Sequence, residues 1–474
     1  MVFFEWNPAT HCVYPSRLGV YRPVLMSGLD QGEAMEEASG TGDRVMLWLH
    51  RHKKRSPVVA AILTLLSGTM ISQVVTFIFQ IFINRIYTDY EKGLFGIYGT
   101  ITAFVITVAA LRFDVTLILP KSDVVARVLK KVATRFIVIS SLLTSLTCVL
   151  FSQFLEDYYH HSPELSRWLM ISGVTVFLVA EITNIQYWLT RQERFGALAS
   201  NRVLQSVSIV VLQLIMGLIF HGGLEGLVIG TILGQLIAFI AISVRTPELR
   251  ERIPSDAPTM RSVISRYRKM PLLNGPNVLV DSIRNTGINI LIGSIAIAAL
   301  GQFQLAWAIM QVPVGLIAGS IAQVFLKKLS VVEQGKMTLL VRYTLIRSAL
   351  AAIVPFAFLF ALAPWLFPLL FGHQWDQAGY FARALTPWLY MMVLTSPVSN
   401  IFIVTENQRR LLIFSVFYCV LPLLWLWLSP LNLLTTVFVL GAEMAMMLVI
   451  MTILALGCAR EFDRGCQTEA GARW

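Results

Sequence analysis

Charge is scarce in this chain. Only 14% of its 474 residues are Asp, Glu, Lys or Arg, where a soluble globular domain carries about 25%. That excludes an ordinary water-facing globular surface. Cysteine is sparse too, with Cys12, Cys148, Cys419, Cys458 and Cys466. None pairs at a metal-ligand spacing, which argues against a disulfide framework and a metal site. There is no P-loop and no dinucleotide fingerprint. The longest polar loop on one side runs to only about a dozen residues, too short for a folded catalytic domain. These gaps point away from an enzyme and from any bound cofactor. Residues 1–56 lack the apolar core of a signal peptide; they read as a polar, disordered tail ending in the basic run 50–55.

What fills the chain instead is apolar sequence, at 56% of residues. It comes in blocks of about twenty, the length that crosses a hydrocarbon layer of about 30 Å. The blocks fall near 57–85, 93–119, 133–155, 167–190, 202–220, 223–244, 270–296, 299–326, 343–369, 378–404, 410–429 and 432–457. Each must be helical, because lipid leaves no partner for an unpaired backbone group. The expected fold is an all-α membrane protein of about twelve transmembrane helices.

The net charge of +11 would suggest nucleic acid in a soluble protein. Here the basic residues sit in short loops, and every second loop is rich in them: Arg112, Lys121 and Arg127; Arg191 and Arg194; the 245–269 linker; Lys327 and Lys328; Arg409 and Arg410. The intervening loops are poor in Lys and Arg, and the one at Glu156-Asp157 is acidic. The positive-inside rule then places both termini in the cytoplasm of an inner membrane and removes nucleic acid as a partner.

The linker at 245–269 separates two sets of six spans, 57–244 and 270–457, followed by a tail at 458–474. The two sets echo one another. Leu66-Ser67-Gly68 resembles Leu273-Asn274-Gly275, Gly93-Leu94-Phe95 resembles Gly301-Gln302-Phe303, and Asn184-Ile185 resembles Asn400-Ile401, at offsets of 207 to 216. A duplicated six-span unit keeps its topology. The expected lobes are therefore related by a pseudo-two-fold axis along the membrane normal, with a substrate site between them near the midplane.

Ionisable residues inside spans are the first functional suspects. Asp281 and Arg284 share one face of span 7 at i,i+3. Two readings compete: a cavity arginine tuned by its acid, or a self-neutralised pair joining helices. Asn274, Asn277, Asn285 and Asn289 lie on the same span. They suit sugar hydroxyls, or interhelical bonds of about 1 kcal/mol each. Pro271, Gly275 and Pro276 interrupt the start of that span, as a hinge or as the end of the linker. Glu181 in span 4 either faces a cavity or pairs with a base such as Arg202. Arg85 and Arg112 lie at opposite ends of spans 1 and 2, as guards of the two mouths or as interface anchors.

Several segments carry a family resemblance: Arg112-Phe113-Asp114 leading to Leu119-Pro120-Lys121-Ser122-Asp123; Asn184 through Arg194; Tyr267-Arg268-Lys269-Met270-Pro271; Leu300-Gly301-Gln302-Phe303 running to Pro313 and Gln323-Val324-Phe325; and Phe371-Gly372-His373-Gln374-Trp375-Asp376. In order and spacing the chain resembles the Wzx-like polysaccharide-biosynthesis flippases, in the superfamily that also holds MATE exporters and lipid II flippases. It departs where Met270-Pro271 replaces a common Phe-Pro pair, and in its long N-terminal tail. The resemblance implies alternating access that carries an undecaprenyl-diphosphate-linked oligosaccharide to the outer leaflet, for O-antigen, capsule or exopolysaccharide. It implies membrane lipids as surroundings, H⁺ or Na⁺ as a coupling ion, and a polymerase and glycosyltransferases as partners. In that frame Arg284 is the expected lead contact to the anionic head. Two alternatives are a cation-coupled multidrug exporter of the same fold, which expects acidic lobes, and a membrane polysaccharide polymerase.

Overall fold

A computed structural model describes residues 57–159, 162–254, 257–329, 332, 335–405 and 407–471. The tail expected at 1–56 lies outside them. Twelve long helices follow in order: α1 Pro57–Ile86, α2 Asp89–Ala109, α3 Asp123–Leu150, α4 Ser172–Arg191, α5 Phe195–Ile219, α6 Leu224–Val244, α7 Lys269–Ile295, α8 Ile297–Leu329, α9 Met337–Phe371, α10 Asp376–Val398, α11 Gln408–Leu428 and α12 Leu433–Gly471. Among the described residues there is no strand.

Nine of these helices are long and apolar enough to cross a membrane. A tenth span forms if α4 is joined to the short helix Pro163–Met170, from which it bends by 47°. The remaining two are α7 and α10, and each has a reason to be less apolar. Helix α10 packs against α8, α9 and α12 and buries fourteen of its residues, so it meets little lipid. Helix α7 carries the polar residues of the seam described below.

The packing repeats between halves. Helices α1 and α5, α3 and α4, α2 and α4, and α4 and α6 pack together in the first lobe. Their equivalents α7 and α11, α9 and α10, α8 and α10, and α10 and α12 pack together in the second. The lobes meet chiefly through α2 against α8 and α2 against α7. The α2–α8 crossing falls on one of the sequence echoes. A Cβ on Gly93 would lie 1.9 Å from the Ile297 carbonyl oxygen, and one on Gly301 would lie 2.1 Å from that of Asp89. Only glycine lets the two backbones approach this closely.

This crossing sits at the end of the bundle away from the Arg- and Lys-rich loops, here called the far face. Thr88 and Glu91 form a capping box that starts α2 there, satisfying backbone donors at the helix start. At the basic face α2 ends sooner than the expected 93–119 span. Leu111 and Arg112 take left-handed backbone angles, with φ of 46° and 62°. The turn closes on a 3₁₀ segment, Val115–Ile118, before α3 begins.

Candidate functional site

The described part of α1 has one polar face. Thr69, Ser72, Gln73, Thr76, Gln80 and Asn84 recur at three- and four-residue steps and line a cavity of about 640 Å³ at the seam between lobes. Helix α5 adds Arg202, Gln205 and Ser206, α2 adds Lys92 and Phe95, and α8 adds Gln304 and Gln311. A second chamber of about 330 Å³ lies between α2, α7, α8 and α10. Asn285, Asn289, Trp307 and Trp388 line it, and both chambers share Gln304 and Ala308. None of the lining residues of either chamber is Asp or Glu.

The two basic side chains stand at different depths. Arg202 donates to the Thr69 hydroxyl at 3.3 Å, and the Lys92 ammonium nitrogen lies 3.2 Å from Gln80 Oε1. Their anchors are eleven residues apart on α1, or roughly 16 Å along a helix axis. Asn84, only 1% exposed, lines the deep end with neither side-chain amide atom partnered. A buried amide without partners is costly unless a water or ligand group meets it.

The far face is shut above this cavity. Gln302 donates to Asp89 Oδ2 at 3.0 Å and to the Gln374 carbonyl at 2.5 Å, and accepts from the Ala378 amide at 2.9 Å. Gln374 Nε2 and Trp375 Nε1 donate to the Asn84 carbonyl at 2.6 and 2.7 Å. These bonds join the α1–α2 corner to the start of α8 and the α9–α10 loop.

The residues expected from the sequence scatter around this cavity. Arg284 donates to Asp281 Oδ1 at 3.0 Å and stacks over the Tyr418 ring at 4.4 Å, on the face of α7 that meets α11. It lines neither chamber, although its Nη2 lies 3.4 Å from Asn285 Oδ1, which lines the second. Asp281 is more than half exposed beside it. Asn277 Oδ1 is buried without a partner, and the Asn274 side chain lies outside the described ones. Glu181 is buried inside the first lobe, where Lys130 reaches it at 2.5 Å and Thr134 and Asn184 complete the network. Its basic partner is Lys130 rather than Arg202, because α3 starts early enough to bring that residue into the helix. Arg85 donates to the Leu370 carbonyl at 3.3 Å near the shut far face. Arg112 lies at the basic end of the α2–α7 seam, away from both chambers.

Sequence reasoning missed Lys92, Arg202 as a cavity residue, and the α1 stripe. The stripe was visible as polar residues at helical spacing in an apolar block. The length of the block does not show it; the spacing of its polar residues on one helical face does.

This architecture, two six-helix lobes around a polar-lined seam, is a fold shared with solved transporters of the MOP superfamily. Among solved structures it is similar to the lipid II flippase MurJ in an inward closed conformation, with 13% identity and a TM-score of 0.68 over 86% of this chain and 91% of that one. It is also similar to an inward-facing multidrug resistance MATE family transporter, with 15% identity and a TM-score of 0.60 over 86% and 99% of the two chains. A MOP superfamily transporter from Pyrococcus furiosus aligns at 14% identity and a TM-score of 0.56 over 86% and 96%. No curated protein sequence matches the chain. The family described as polysaccharide biosynthesis protein matches residues 82–379, well over half of the sequence. The chain belongs to that family, and it is a multi-pass membrane protein.

Proposed function

We propose that the chain is a flippase of the inner membrane. It carries a lipid-diphosphate-linked oligosaccharide from the cytoplasmic to the outer leaflet by alternating access of the two lobes. The basic face is the cytoplasmic one and holds both termini. The observation that carries this reading is the seam cavity, with two basic side chains, no carboxylate, and a lining of amides and hydroxyls. An unpaired diphosphate cannot enter hydrocarbon, since burying bare charge costs tens of kcal/mol in the Born limit. Arg202 stands nearer the cytoplasm and meets the diphosphate first; Lys92 receives it deeper. The Gln, Asn, Ser and Thr side chains offer donors and acceptors to sugar hydroxyls. Trp307 and Trp388, with centroids 4.7 Å apart and ring planes tilted by 43°, give the second chamber an apolar wall for a sugar face. Arg284 acts at one remove, holding Asn285 at the chamber wall while Tyr418 and Asp281 hold its guanidinium. A drug-cation exporter would need acids in these chambers.

The test is transport of a fluorescent undecaprenyl-diphosphate oligosaccharide in proteoliposomes. A charge-assisted hydrogen bond contributes about 1.5–3 kcal/mol, so Arg202→Gln and Lys92→Gln should each slow flipping by roughly 10-fold or more. Wild-type rates in both variants would overturn the assignment. Export of organic cations in place of the glycolipid would overturn the substrate class.

A further inference from the structure

The α2–α7 seam holds a crevice that this transport path does not use. Its volume is about 400 Å³ and it lies at the basic face. Val108 and Leu111 line it from α2 and the turn that follows. Val278 and Leu279 line it from α7, and Arg112 and Arg268 stand at its polar end. Leu111 and Leu279 are 46% and 38% exposed, and a Cβ on Gly275, which also lines the crevice, would meet nothing within 4 Å. The crevice is therefore open at its side.

Three features point to an occupant with an anionic head and an apolar tail. The wall is almost wholly apolar, which suits an acyl chain and not a soluble anion. Both charged lining residues are arginines. And the Arg112 Nε–H is buried without a partner, on a residue held in the left-handed region at φ 62°, which a side chain disfavours. Asp114 lies close enough to Arg112 for the two charges to interact. That carboxylate works against an anion, and Arg268 offsets it.

We infer that this crevice binds an anionic glycerophospholipid of the cytoplasmic leaflet. Its phosphate lies at Arg112 and Arg268, and one acyl chain lies along Val108, Val278 and Leu279. The inference rests on the orientation proposed above, in which the basic face meets the cytoplasmic leaflet. It makes the α2–α7 seam a lipid-filled joint on the side of the bundle opposite the α1–α8 cavity.

The experiment is native mass spectrometry of the purified full chain titrated with phosphatidylglycerol or phosphatidylcholine. The wild type should retain phosphatidylglycerol and release phosphatidylcholine. An arginine near an anionic lipid surface contributes about 1 kcal/mol, so Arg268→Gln and Arg112→Gln should each weaken retention about fivefold. Arg268 is exposed, so its variant keeps the test sound if Arg112→Gln does not fold. Arg347→Gln, which removes an exposed arginine stacked over Tyr343, should change nothing. Equal retention of the two lipids, or undiminished retention in Arg268→Gln, would overturn the inference. So would displacement of phosphatidylglycerol by undecaprenyl phosphate at equal concentration, which would make the crevice a port for the carrier. None of these readouts requires transport: loss of flipping with phosphatidylglycerol retained would overturn the transport reading alone.

Discussion

Gln302 is the residue through which the shut far face is most open to attack. It is only 3% exposed and bonds Asp89, Gln374 and Ala378 at once. Gln302→Leu keeps its bulk and deletes all three bonds. The bond to a charged partner contributes about 1.5–3 kcal/mol and the two neutral ones about 0.5–1.5 each. In the closed state the freed groups stay partly buried; in the open state water meets them. The loss therefore falls on one state, which is what shifts an equilibrium. Allowing for partial hydration of the closed face, the shift is about 2 kcal/mol, or roughly 30-fold toward the open far face. Spin labels at Glu164 in the first lobe and Gln377 in the second, both exposed, should report it as a new long-distance population in pulsed distance measurements. Gly301→Ala should move the same population, since its Cβ would meet the Asp89 carbonyl at 2.1 Å. If Gln302→Leu left the distance distribution as in the wild type, the three bonds would not be what holds this face shut.

Two further outcomes follow from buried charge. Glu181→Leu strands Lys130 in the first lobe and should destabilise the protein by about 3 kcal/mol, with Lys130→Met in the same chain restoring most of it; thermal unfolding in detergent decides, and lost transport at unchanged stability would move Glu181 into the functional site. Burial raises the Asp114 carboxyl above the usual carboxylate range, against the opposing pull of a Val115 backbone hydrogen bond and of Arg112. A folded pKa above the unfolded one gives stability that is full below the unfolded value and is lost as pH rises through the folded value. Asp114→Asn should therefore raise the melting temperature at pH 7 and flatten its pH dependence, and a lower melting temperature at pH 7 would refute the sign.

The repeat was the most informative thing legible in the sequence. Gly93 and Gly301 echo one another between halves, and they are the two residues at which α2 and α8 cross backbone to backbone. Such a contact leaves a trace in sequence because only one residue type permits it. The cavity left a fainter trace. Lys92 lies close to the start of α2 and Arg202 a few residues inside α5, where a basic residue reads as an ordinary flank of a span. Arg284, in the middle of a span, reads as the stronger suspect, and the structure sets it against Tyr418 behind the chamber wall. Depth in a span marks a residue as costly to bury. It does not say which way the residue faces, and facing depends on partners on other helices.

The pseudo-two-fold axis relates two seams between the lobes. Its two seams are not equivalent. Between α1 and α8 lies the polar cavity with Arg202 and Lys92. Between α2 and α7, at the basic face, lies the apolar crevice with Arg112 and Arg268. A perfectly symmetric pair of lobes would offer the cargo two equal doors. The proposed cargo has a polar head and an apolar chain, and moving it calls for one hydrated door with the opposite seam sealed against water. The stripe that lines the large cavity belongs to α1; among the described side chains of its repeat mate α7, Val278 and Leu279 line the crevice, while Asn285 and Asn289, further along, line the second chamber. On the proposed function, duplication supplies the rocking frame, and divergence between α1 and α7 decides which side of the frame is wet.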